Sequence, residues 1–145
     1  MQAKKIDIDW NPDLSIYASE EFLRTLGDEY GWLGGFNNDG KLRCILPYTI
    51  VHNLIFRIVR FRVETIPVDN NLTIEEEKSF LNDVVKYFRK AGADMIIPAT
   101  TNTIFRTYPD GADAAPYVSY IIELTQTEDK LWNNLHSKHR NVVRN

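Results

Sequence analysis

A single cysteine, Cys44, stands in 145 residues, so no disulfide can form within the chain. Long apolar runs are missing too: Lys4-Lys5 is followed by Ile6-Asp7-Ile8-Asp9 and not by an apolar core, so neither a secretory signal nor a membrane-spanning helix is expected. A cytoplasmic protein is the expectation. Glycine-rich loops are absent. A CoA or nucleotide pyrophosphate is held by backbone N–H groups at a helix N-terminus, which a glycine-rich loop lets it approach. Here Gly34-Gly35 leads into Phe36 and a hairpin, and the other glycines stand at turns and helix ends, so no cofactor site is expected in this chain. His136-x-x-His139 puts two imidazoles within one helical turn, but His52 and Cys44 lack motif spacing and no metal site is expected. Cys44 has no sequence neighbour that would activate a thiolate, and no Gly-x-Ser-x-Gly elbow occurs.

What the chain does have is enough apolar side chain for one core: 43% of its residues are hydrophobic and 12% aromatic, which suits a single domain of this length. The formal charge of -3 is unevenly spread. Residues 131–145 carry Lys138, Arg140 and Arg144 with no acidic residue, and all the carboxylates lie upstream. One short basic segment on an acidic chain is a weak basis for nucleic-acid binding, and its plain reading is a solvated helix face.

In chain order, Lys4 to Trp10 alternates as a short strand, and Asn11-Pro12-Asp13 turns. Ser19 caps a helix that carries Phe22, Leu23 and Leu26 on one face. Tyr30 to Phe36 reads as a strand weakened by glycines, closed by the hairpin loop Asn37-Asn38-Asp39-Gly40. Lys41 to Val68 predicts two long antiparallel strands broken near His52-Asn53, with Pro47 at a bulge or an edge. In the second of them Phe61, Val63 and Thr65 alternate with Arg60, Arg62 and Glu64, which predicts one buried face and one wet face with cross-strand ion pairs.

Thr73-Ile74-Glu75-Glu76 is a capping box, and Leu81, Val84, Val85, Phe88 and Ala91 continue at helical spacing up to Gly92. The apolar run Met95-Ile96-Ile97-Pro98 reads as a strand buried on both faces, and a helix leading into it implies a crossover. Ala99 to Pro116 is irregular and long enough to be functional. Within it Arg106 and Tyr108 are the candidates to hold a carboxylate or phosphate of a substrate. Tyr117 to Leu124 reads as a further strand. The fold class is thus α/β (α+β): a mixed, largely antiparallel twisted sheet of about five to six strands, flanked by the Ser19 and Thr73 helices.

The last nineteen residues, Thr127 to Asn145, read as a helix capped by Thr127, with Glu128 and Asp129 at its positive end and Leu131, Leu135, Val142 and Val143 at helical spacing. No Gly or Pro terminates it, so it reads as cut, with the end after Lys138 fraying or borrowing a neighbouring molecule.

Leu131-Trp132-Asn133-Asn134-Leu135-His136-Ser137-Lys138-His139-Arg140-Asn141-Val142-Val143-Arg144 resembles the L-W-x-x-L-x-x-K-x-R-x-x-I-R segment of FemABX-like peptidoglycan-bridge aminoacyltransferases, relatives of the GNAT-type acyltransferases. The acidic helix ending in Ala91-Gly92-Ala93, the strand 94–98 and the strand 117–124 follow that family's order. Two departures stand out: Ile97-Pro98 replaces an Asp-Pro, and Arg60-Phe61-Arg62-Val63-Glu64 replaces a Pro-Arg-Gly-Pro-like segment. The Gln/Arg-x-x-Gly-x-Gly/Ala loop of ordinary GNAT enzymes has no counterpart.

The resemblance implies half of a GNAT-like double domain, with residues 1–126 as the α/β domain and 127–145 as a helix leading into a second half. It implies an acceptor-positioning role in acyl or aminoacyl transfer to an amine, such as that of a cell-wall precursor. Arg106, Tyr108, Lys138, Arg140 and Arg144 are the substrate-binding candidates, and no catalytic residue is assigned. Acyl-CoA or aminoacyl-tRNA would be the donor, held by the second half or a second copy of the chain. The rival reading is a non-catalytic module that binds a protein or RNA partner through the basic helix.

Overall fold

In the computed structural model, which describes residues 1–12, 14–69, 71–98, 103–114 and 123–144, the chain divides into two units, Met1–Ala114 and Ala115–Asn145. The first holds the strands Gln2–Ile6 (β1), Glu29–Phe36 (β2), Leu42–Asn53 (β3), Phe56–Phe61 (β4), Ile66–Pro67 (β5) and Met95–Pro98 (β6), with helices Glu20–Arg24 (α1) and Ile74–Lys90 (α2). The strands make one mixed sheet in the order β1-β2-β3-β4-β6, with β5 also pairing β3. Every pair is antiparallel except β4 with β6, which α2 joins as a crossover.

The two helices flank opposite faces of the sheet. Phe80, Leu81, Val84 and Phe88 of α2 pack on Leu33, Cys44, Leu46, Tyr48, Ile50, Val59 and Phe61. On the other face Leu23 of α1 packs with Trp32 and Ile45, and Trp32 donates its indole N–H to the Ala18 carbonyl at 2.8 Å. Burying a side chain such as Phe80 or Phe88 is worth about 1.5–3 kcal/mol, so α2 is held chiefly by its inward stripe. Gly35 is where that contact is closest: a Cβ there would stand 2.5 Å from Cys44 Sγ and 2.8 Å from Phe80 Cδ2. Gly35 thus lets a helix side chain approach the sheet.

Several sequence expectations meet differences. The first strand ends at Ile6 and not at Trp10. Pro47 is neither at a bulge nor on an edge strand; it is buried in β3, opposite Trp32 of β2. On its other side β3 pairs β5 at Cys44 and Ile45 and β4 from Tyr48 onward, so Pro47 sits where no strand pairs it on that side. The register shift lies instead at Gly35/Phe36. β6 was expected to be buried on both faces; among the described residues it pairs only β4, and its Met95 is 46% exposed. Of the expected strand 117–124, residues 117–122 lie outside the described residues.

The second unit holds helices Glu128–Asn134 (α3) and Ser137–Arg144 (α4), where one continuous helix was expected. Leu135 is extended at φ -67°, ψ 136° and ends α3. Asn133-Asn134 favours helix ends over helix interiors. His136 then starts α4 anew: its Nδ1 accepts from the Lys138 N–H at 3.3 Å and its carbonyl accepts from Arg140 N–H at 3.1 Å.

Candidate functional site

The N-terminus of α2 is where a helix of this length would offer backbone N–H groups to an anion. It is closed by its own side chains. Thr73 Oγ1 accepts from the Glu76 N–H at 3.1 Å, and Glu76 Oε2 accepts from the Thr73 N–H at 3.0 Å. Glu75, Glu76 and Glu77 fill the first turn with negative charge. The Thr73 backbone bond, and after it Arg43, hold the Glu76 carboxyl below its usual range. Arg43, from β3, also pairs with Asp69 at 2.5 Å and donates to the Asn71 carbonyl at 3.0 Å, which ties down the segment ahead of the helix. A phosphate brought here would meet three carboxylates in the first turn.

The far end of α2 is bound in the same manner. Arg57 of β4 donates to the Ala91 carbonyl and pairs with Glu29 of β2 at 3.1 Å, while its own N–H donates to Asp94 Oδ2 at 2.8 Å.

Of the residues singled out in the sequence, Arg106 is engaged within the protein. Its Nη2 lies 2.6 Å and its Nε 2.8 Å from Glu77 Oε2, and it reaches the Leu72 carbonyl at 3.4 Å. Tyr108 is exposed two residues further on, next to Asp110, which Lys78 and Asn82 hold. In the other unit Lys138 is exposed in the first turn of α4, Arg140 is half-buried, and Arg144 is the last residue of that helix. Arg106 and Tyr108 share one segment of the first unit; Lys138, Arg140 and Arg144 share one helix of the second.

Cys44 is buried under α2, and burial, then the charge of Glu77, push its thiol up to about 12. It stays protonated at neutral pH and is a packing residue. The His136 and His139 rings stand 6.4 Å apart, and among the described residues no group of three or more His, Cys, Asp and Glu side chains gathers to hold a metal.

The outer face of β3 and β4 is the charged face that the sequence offers either as a binding surface or, more simply, as a wet sheet face with cross-strand ion pairs. A recess of about 340 Å³ is lined by Val51, His52, Asn53, Ile58, Arg60 and Arg62. The His52 ring is turned to Asp28 and Glu29, at 3.3 and 3.9 Å. Arg62 donates from Nε to Thr49 Oγ1 at 2.9 Å and from Nη2 to the Leu26 carbonyl at 2.8 Å, both neutral partners. Burial, then the neighbouring Arg60, lower the Arg62 pKa from its ordinary value. Arg60 Nε is covered from solvent without a hydrogen-bond partner. The expected cross-strand ion pairs do not form on these two arginines among the described residues.

No protein-family model and no curated protein matches the sequence. Solved structures similar to the fold include the following two. The "Putative acetyl transferase from Pyrococcus furiosus" is 15% identical, with a TM-score of 0.44 over 71% of this chain and 71% of that one. The glucosamine-6-phosphate N-acetyltransferase from Arabidopsis thaliana is 12% identical, with a TM-score of 0.38 over 61% of this chain and 67% of that one. Likenesses of this size assign no substrate and no residue role.

Proposed function

We propose that this chain is the acceptor-positioning half of a FemABX-like acyl or aminoacyl transferase. It orients an amine-bearing acceptor, such as a cell-wall precursor, while the donor sits on a second half or a second copy of the chain. The observation that carries the reading is the acidic, self-capped N-terminus of α2: its capping box takes up the Thr73 and Glu76 N–H groups, and three glutamates in its first turn repel a donor pyrophosphate. The resemblance at residues 131–144 supports the same role. Transfer to an amine needs that amine neutral and aligned on an activated carbonyl, and a half without a donor site can supply only the alignment.

The test is direct. Acetyl-CoA or aminoacyl-tRNA incubated with the 145-residue chain and an amine-bearing muropeptide should give no transfer. The muropeptide alone should bind. Turnover by this chain, or a muropeptide that does not bind it, would overturn the reading.

A further inference from the structure

We propose that the recess at Asn53, Ile58, Arg60 and Arg62, on the outer face of β3 and β4, binds a doubly charged phosphate group, with Arg60 and Arg62 as its two cationic contacts. Arg60, in β4, and Arg62, in the bend just after it, line the same recess; Arg60 pairs in register with Thr49, whose hydroxyl holds Arg62. The contrast with the other arginines of the sheet is what points to a ligand. Arg43 of β3 and Arg57 of β4 each pair with a carboxylate, whereas Arg89 and Arg140, unpaired among the described residues, stand on helices. Among the described residues Arg60 and Arg62 have none, in a chain with 20 acidic residues to supply one. Two guanidinium groups side by side repel each other unless an anion stands between them, and the planar N–H fork suits phosphate oxygens.

The recess sets the kind of ligand further. Val51 and Ile58 give it an apolar floor, so the phosphate carries an organic remainder. Beyond Asn53 the hairpin tip exposes three successive apolar residues, Leu54 at 95%, Ile55 at 86% and Phe56 at 47%. Leu54 holds a left-handed φ of 56°, which is uncommon for a residue with a branched side chain. A phosphate next to an apolar tip is the chemistry of a lipid headgroup as well as of a free phosphate ester, and the experiment separates the two. The inference stands on this face alone and does not need the transferase reading.

The test follows the arginine Nε–H signals by NMR while glycerol 3-phosphate is added, with sodium acetate at equal ionic strength as control. Phosphate ester should saturate the Arg60 and Arg62 signals and acetate should not; Arg60→Gln should weaken binding at least about tenfold, the scale of one charged hydrogen bond. Arg60→Lys, which keeps the charge and loses the fork, should fall between. Arg60→Gln is the decisive variant because the Arg60 side chain makes no hydrogen bond or ion pair among the described residues, whereas Arg62 ties the bend after β4 to the Leu26 carbonyl. Co-sedimentation with phosphatidylcholine vesicles carrying phosphatidic acid, whose headgroup is a phosphomonoester, decides the source. Sedimentation that is lost in Leu54→Ser/Ile55→Ser assigns the site to a lipid headgroup. Phosphate-ester binding without sedimentation assigns it to a free ester. Unsaturable binding in the wild type, or Arg60→Gln binding as tightly as the wild type, would overturn the proposal.

Discussion

Glu77 Oε2 and Arg106 Nη2 meet at 2.6 Å, the carboxylate side chain 1% exposed and the arginine side chain 51% exposed. The arginine is the route by which a buried charge on α2 reaches solvent. Arg106→Met should therefore destabilise the chain by about 2–3 kcal/mol, less than the ~3–5 kcal/mol of a wholly buried pair because water can reach the site. Urea unfolding gives the number. Glu77→Leu combined with Arg106→Met should recover most of it; a double variant as weak as the single would show that the pair is not what Glu77 needs.

Much of this fold was legible because its signals are local. The Thr73 capping box, the stripe Leu81, Val84 and Phe88, and the break after His52-Asn53 are each contained in a few residues, and each stands where the pattern put it. What escaped is long-range. Arg106 sits 29 residues from Glu77, and nothing in the intervening sequence joins a loop arginine to a helix glutamate. The run Met95-Ile96-Ile97 is apolar like a central strand, and only pairing decides that it lies beside β4 alone among the described residues. The alternation of Arg60 and Arg62 is plain, but that β4 ends at Phe61, and that no carboxylate pairs either arginine among the described residues, is decided by pairing and not by local pattern.

Cys44 should resist thiol reagents in the folded chain. With its thiol pushed up to about 12 and its side chain under α2, Ellman's reagent at pH 8 should release no colour until urea is added. The sign of the linkage follows: the unfolded thiol ionises near pH 9 and the folded one does not, so the unfolded state binds fewer protons there and stability falls as pH rises above about 9. Cys44→Ser should lessen that alkaline decline; an unchanged decline would assign it to other groups.

Gly35→Ala should cost about 1–3 kcal/mol, the range for overpacking, since its Cβ meets Cys44 Sγ at 2.5 Å and Phe80. Combining it with Cys44→Ala removes the nearest atom. The two costs should then sum to more than the double variant shows, and additive losses would place the strain elsewhere.

On the acid side, the Glu76 carboxyl is held below its usual range by the Thr73 N–H and then Arg43, so its contribution is present above the ordinary carboxylate range and fades as pH falls through the folded value. Glu76→Gln should lose less stability than the wild type between pH 7 and pH 3. Thermal melts across that range check it, and parallel curves would mean that Glu76 is not the group responsible. Thr73→Ala, which removes the side-chain cap, should cost about 1 kcal/mol at every pH.

Arg43 and Arg57 come from the two strands of one hairpin, and each grips a different end of the same helix: Glu76 at the start of α2, the Ala91 carbonyl at its finish. A helix held at both tips by a hairpin cannot unravel from its ends while the hairpin stays paired. The terminal amides of α2 then lose their usual freedom to exchange by fraying and open only when β3 and β4 part, so helix and hairpin unfold as one cooperative unit.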